Sequence, residues 1–162
     1  MGWRIRSVVT VVAAGGLVLS GVGAAPAGAT TLVPLSNSIR GCDFTKALFL
    51  GGMGSGSGSG RASIGADGSH VGAEVSLQSA TPDTDYRVRL IQLPRSSVAT
   101  CNVGDPGVAG AVLHTDASGT ASVTVGGPRA QGATQAWVVV EGPPPPGRIR
   151  GDVYTSDYAV NV

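Results

Sequence analysis

The sequence predicts an all-β protein, an antiparallel two-sheet sandwich of about seven to eight strands behind an export signal. Three observations carry this. Apolar residues recur with period two over most of the chain. Gly, Pro and Asp-rich turn signals interrupt them at short intervals. No stretch after the signal has helical periodicity.

The strand candidates follow in order. Thr30–Arg40 reads as a loose or edge segment. Asp43–Leu50, with Phe44, Ala47, Leu48, Phe49 and Leu50, reads as a first strand. Gly51–Gly60 (GGMGSGSGSG) is low complexity and reads as a Gly/Ser-rich loop between strands, linker-like by composition. Arg61–Ala66 and Val71–Gln78 alternate about an Asp67-Gly68 turn, which predicts a hairpin with one buried and one wet face. Tyr86, Val88 and Leu90 face in while Arg87 and Arg89 face out, and the slip in phase at Leu90-Ile91 predicts a bulge or strand end there. Val108–His114 is a further strand, followed by an Asp116–Gly119 turn and by Ala121, Val123 and Val125 in alternation. Thr134–Glu141, with the unbroken run Trp137–Val140, predicts a central strand. Gly142–Gly151 holds Pro143–Pro146 and cannot join a ladder. Asp152–Val162 closes the chain, with Tyr154, Tyr158, Val160 and Val162 on one face. Short strands so spaced suggest a sandwich of immunoglobulin-like architecture.

The N-terminus carries the firmest functional signal. Arg4 and Arg6 precede a stretch without charge from Ser7 to Ala25, and Ala27-Gly28-Ala29 supplies the small-x-small pattern a signal peptidase reads. Residues 1–29 are therefore expected to be a cleavable signal, cut between Ala29 and Thr30, leaving a secreted domain over 30–162. A spanning anchor is the competing reading, but Gly and Ala dilute the run between Ala13 and Ala25. A lipid anchor needs a Cys after Leu19-Ser20-Gly21, where Val22 stands. Ile5 separates the arginines that a twin-arginine signal would place together.

Of 162 residues, 11 are Lys or Arg and 10 are Asp or Glu. Loss of Arg4 and Arg6 leaves nine cations against ten acids. A nearly neutral domain gives no electrostatic reason to expect nucleic acid or an anionic membrane as partner. A monomer is expected. Cys42 and Cys101 are the only cysteines, and export makes them a disulfide. It closes a loop of about 60 residues, worth on the order of 4 kcal/mol by chain-entropy reasoning. Cys42 precedes the first expected strand and Cys101 lies in a loop, so the bond ties a segment to a loop and does not pin two sheets through a core.

Catalytic chemistry is thin. His70 and His114 are the two histidines, and His114 with Asp116 at i, i+2 offers two metal ligands at most, where three or more are usual. No nucleophile-elbow motif, phosphate loop or glycosylation sequon occurs. No cofactor and no enzymatic activity are expected. Arg150-Gly151-Asp152 matches the tripeptide read by integrin-type receptors, and Pro143-x-x-Pro146-x-Arg148 matches a polyproline ligand that export puts in the wrong compartment.

The signal ending in Ala27-Gly28-Ala29, the run Pro82-Asp83-Thr84-Asp85-Tyr86-Arg87-Val88-Arg89-Leu90, Cys101 and the Thr115-Asp116-Ala117-Ser118-Gly119 turn together resemble small secreted proteins of high-GC Gram-positive (actinobacterial) type with no assigned activity. The resemblance implies a secreted immunoglobulin-like sandwich and no reaction, and no functional residue is carried over. The leading expectation is a secreted or cell-envelope module that binds a protein or glycan. The rivals are a small hydrolase or metal-dependent enzyme using His70, His114 and Asp116, and a secreted inhibitor or effector contacting its partner through Gly51–Gly60 or Gly142–Gly151.

The export reading has a direct check in intact mass. The secreted protein is expected to weigh as residues 30–162 less two hydrogens. A mass that retains the first 29 residues overturns the cleavage site, and an unreduced mass without the two-hydrogen loss overturns the disulfide.

Overall fold

The computed structural model describes residues 28–47 and 54–162. The expected signal lies outside the described residues except for its last two positions, as do Leu48–Leu50 and Gly51–Met53. Every regular element among the described residues is a strand: β1 (Thr30–Ser36), β2 (Ser59–Ala66), β3 (His70–Gln78), β4 (Asp85–Leu93), β5 (Val108–His114), β6 (Ala121–Pro128), β7 (Gln135–Glu141), β8 (Val153–Ser156) and β9 (Val160–Asn161). Pairing between these strands is antiparallel throughout. The strands form one path, β5-β4-β7-β8-β1-β2-β3-β6, with β9 beside β7.

The two ends of that path, β5 and β6, come alongside each other without forming a ladder. A Cβ placed on Gly127 of β6 would lie 3.4 Å from Ala109 Cβ of β5. The result is a nearly closed barrel, and it departs from the expected division into two sheets. The joint is β1. It pairs with β2 from Thr30 to Leu35 and also reaches β8 through Leu35–Ser156 and Ser36–Thr155, so hydrogen bonding runs from one side to the other without a break.

Period-two alternation fills the barrel. Ile64 of β2, Val75 of β3, Tyr86 and Val88 of β4, and Val138 and Val140 of β7 are fully buried in one cluster. The β2–β3 hairpin turns at the predicted Asp67-Gly68, with Asp67 N donating to His70 O at 3.1 Å. The β5 strand has its predicted bounds, and β7 is central, between β4 on one edge and β8 and β9 on the other. β8 and β9 leave a gap opposite Val138, whose N–H donates to Ser156 Oγ at 2.9 Å instead of to a backbone carbonyl. A side-chain hydroxyl thus satisfies a buried ladder donor where the strand bends away.

Three local expectations are corrected. β4 has no bulge at Leu90-Ile91. Its register with β7 runs without interruption from Arg87 to Leu93. The change of phase arises because both faces are buried there: Leu90 points into the barrel, while Ile91 and Leu93 join a second apolar cluster on the outside. Thr30–Ser36 is an interior strand between β2 and β8 with Val33 and Leu35 buried, in place of a loose or edge segment. Asp43–Ala47, the described part of the expected Asp43–Leu50 strand, is a tight turn with an isolated Arg40–Lys46 bridge. Asp43 Oδ1 accepts from Thr45 N and Thr45 Oγ1 at 3.2 and 2.7 Å, and such local bonds compete with an extended backbone.

Within the Gly-Ser tract, Ser59 and Gly60 are the first residues of β2. Ser55 bridges Asp152, and its carbonyl accepts from Val153 N at 2.9 Å. A Cβ on Gly58 would stand 2.7 Å from Ala80 N. Small residues here allow close backbone packing.

The second cluster sets the sharpest stability test. Trp137 is 1% exposed, and Trp137→Ala is expected to lower the unfolding free energy by about 3–5 kcal/mol, read from urea denaturation. A loss below about 1 kcal/mol would show that the outer cluster is not a second core.

Candidate functional site

The outward side chains of β4 change character along the strand. Arg87 lies between Val112 of β5 and Glu141 of β7 in the ladder, and Arg89 between Gly110 and Val139. Two residues further, Ile91 lies between Val108 and Trp137. The apolar half is covered. Ile91, Leu93, Val108, Trp137, Val139 and Val153 pack with Cys101, and Cys42 and Phe44 close over them.

The cover consists of two irregular segments, Asn37–Ala47 and the β4–β5 loop, joined by the Cys42–Cys101 disulfide. This is the segment-to-loop tie expected from the sequence. The Phe44 ring lies 5.4 Å from Trp137 at an interplanar angle of 58°, a tilted pair that adds to simple burial. The Arg40 guanidinium sits 3.9 Å above the Phe44 ring and donates to Phe44 O and Asp157 O at 3.2 and 3.0 Å. Both halves of the cover are braced by aspartates. Asp43 holds the turn beside Cys42, and Asp105 accepts from Thr100 Oγ1 and Asn102 N at 2.7 and 2.8 Å beside Cys101.

The other half of the face is open. A groove of about 360 Å3 on the side of the proline loop continues into one of about 550 Å3 on the side of β5, and both are lined by Arg87, Arg89 and Glu141. Arg89 forms an ion pair with Glu141 and donates to Cys101 O at 2.7 Å, fastening floor to cover. The far wall is the segment Pro143–Arg150. Arg148 N donates to Pro145 O at 3.0 Å, with Pro146 and Gly147 as the central residues and Gly147 at φ 77°. That is a type II turn, whose third position requires positive φ. The turn leaves Ile149 with a relative exposure of 101%, between two exposed arginines.

The groove concentrates charge. Arg40, Arg87, Arg89, Arg148 and Arg150 line it and the adjoining recess beside Ser55, with Glu141 as the single acid. These are five of the nine cations of residues 30–162 and one of their ten acids. Among the described residues, the side chains of Arg87, Arg148 and Arg150 make no hydrogen bond or ion pair. Trp137 Nε1 and Arg40 Nε are buried there without an acceptor.

The residues singled out from sequence lie elsewhere. His114 Nδ1 is 2.7 Å from Asp85 Oδ1, both side chains largely exposed. Asp116 shapes its own turn, accepting from Ser118 N, Ser118 Oγ and Thr120 N at 2.8, 2.7 and 2.9 Å. His70 pairs with Pro128 at the opposite end of β6 from the turn that follows His114. That separation is about 23 Å at the usual strand rise. The three do not meet, and among the described residues no three His, Cys, Asp or Glu gather as a metal site. In Arg150-Gly151-Asp152, the Asp152 carboxylate accepts from Tyr86 Oη and Thr81 Oγ1, each at 3.0 Å, so the tripeptide does not present both arms together. Burial pushes the Tyr86 hydroxyl pKa up, and raises that of neighbouring Tyr154 to about 12.

The groove was visible in the sequence only as Arg87 and Arg89 on one outward face. Two arginines at i, i+2 ahead of Ile91 and Leu93 mark where a strand face passes from wet to covered, and that was the available signal. No family model matches the chain, and neither the curated proteins nor the solved structures yield a similar one.

The three turn aspartates make a pH prediction. Hydrogen bonds from Thr45 to Asp43, from Thr100 and Asn102 to Asp105, and from Ser118 and Thr120 to Asp116 hold all three carboxyls below their usual range. A depressed folded pKa contributes stability that is present above the unfolded value, about pH 4, and is lost as pH falls through the folded value. The melting temperature is therefore expected to fall below about pH 4 partly through these groups. Asp→Asn replacement at 43, 105 and 116 keeps the acceptor oxygens and removes the titration, so it should flatten that part of the fall. An unchanged acid limb in the triple variant would rule the three turns out as its source.

Proposed function

We propose that the protein is exported by its N-terminal signal and acts outside the cell, or in its envelope, as a non-enzymatic binding module for a protein or glycan. The observation that carries this is the segregation of charge. A domain that is nearly neutral in total gathers most of its cations around one groove, between a stapled cover and a proline-stiffened loop. Among the described residues the side chains of Arg87, Arg148 and Arg150 have no structural partner, which makes recognition the better account of them. Loops held on a rigid β scaffold, immunoglobulin-like in the expected reading, are a common place for binding. The cover and the type II turn also reduce the ordering cost that a mobile site would carry.

The experiment is a pull-down from cell-envelope extract with the oxidised protein and with an Arg87→Glu, Arg150→Glu variant. A partner retained by the parent and lost by the variant is the expected result. Recovery of nothing by the parent, or equal recovery by both, would remove the groove as the functional site.

A further inference from the structure

We infer that the occupant of this groove is an extended acidic peptide segment whose carboxylates alternate with aliphatic side chains. The inference rests on the binding reading and names its ligand. Sign comes first. The groove's one acid, Glu141, is already paired with Arg89, so the cations left over call for anionic groups from outside. Guanidinium groups hold carboxylates by planar, two-pronged hydrogen bonding.

The walls select peptide over sugar. The exposed apolar groups are aliphatic: Val103 at 64%, Val112 at 61% and Ile149. Sugar rings are gripped by flat aromatic faces, and among the described residues the aromatic groups next to the groove are hidden. Trp137 lies beneath the cover, and Arg40 sits over the Phe44 ring. Aliphatic patches set among guanidinium groups fit Leu- or Val-type side chains set among carboxylates.

Spacing gives the length. Val112, Arg87, Glu141 and Val153 stand in one row across β5, β4, β7 and β8. Three strand spacings span about 14 Å, which an extended chain covers in four to five residues. Along the row the floor reads apolar, basic, and then the paired acid, with Ile149 and Arg150 at the far wall. A segment whose first apolar and acidic residues meet Val112 and Arg87, and whose next pair meets Ile149 and Arg150, passes over the Arg89–Glu141 pair between them.

The test is fluorescence anisotropy with the oxidised protein and three labelled probes of equal charge: a peptide of Leu-Glu repeats, a polyglutamate and an oligogalacturonate. The repeat peptide is expected to bind at least about tenfold more tightly than either of the others, and less tightly as salt rises. Arg87→Ala with Arg150→Ala should weaken it by about tenfold or more while melting as the parent does, since neither side chain is bonded within the described residues. Arg61→Ala, an exposed cation on β2 outside the groove, should leave binding unchanged. Equal or tighter binding of the oligogalacturonate overturns the peptide assignment, and so does an unaffected double variant, an equal loss with Arg61→Ala, or no binding by any probe. A groove-dependent glycan partner from envelope extract would sink this inference and leave the binding reading standing.

Discussion

The constraint on which the structure depends is that the Leu90–Leu93 end of β4 and the Ala136–Val140 stretch of β7 are buried on both faces. A nearly closed barrel has one interior, and Tyr86, Val88, Leu90, Val138 and Val140 fill it. Ile91, Leu93, Trp137 and Val139 then point the other way, and a face of that kind left in water costs roughly 1.5–3 kcal/mol per large side chain. The chain meets the constraint with two irregular pieces, Asn37–Ala47 and the β4–β5 loop. The Cys42–Cys101 bond makes them one lid, and Phe44 on Trp137 gives the lid something to rest on.

The same lid defines the groove by where it stops. The boundary is written into β4, where Arg87 and Arg89 give way to Ile91 and Leu93. Arg89 works on both sides of it: one nitrogen donates to the carbonyl of the disulfide cysteine and another pairs with Glu141. It therefore positions the edge of the lid, and Arg87, one step further along, is left open beside Val112. The cover and the groove are two consequences of a single change in side-chain type along one strand.

Much of the scaffold was legible in the sequence. The β2–β3 hairpin announced itself through strict alternation and Asp67-Gly68, β5 through a clean apolar run, and the central place of β7 through Trp137–Val140. What failed did so for a common reason: period-two reading assumes that one face is wet. Where both faces are buried, as at Leu90-Ile91, a continuous strand looks like a slip in phase. Where local side-chain bonding wins, as at Asp43 and Thr45, the described start of an expected strand is a turn. The Gly-Ser tract misleads in another way. Composition registers the absence of side chains but not the reason, and at Gly58 the reason is the backbone of Ala80 2.7 Å from the space a Cβ would fill. The groove was the least legible feature, because its residues come from β4, β5, β7, the lid and the proline loop, and only folding brings them together.

This bears on how net charge is read. A balance of nine cations and ten acids argues against a strongly charged partner only if the charges are mixed over the surface. Here they are sorted. Several of the acids are employed within the fold: Asp43, Asp105 and Asp116 accept backbone N–H groups in turns, Asp152 anchors the Tyr86 and Thr81 hydroxyls, and Glu141 pairs with Arg89. Several of the arginines are left without such work and stand around one depression. An acid that accepts backbone N–H groups has its charge locally compensated, while an arginine with no partner keeps its full field toward solvent, focused by the low-dielectric walls of the groove. The total charge thus understates the potential a ligand meets at the groove, and the sign of that potential follows from which charges the fold has already used.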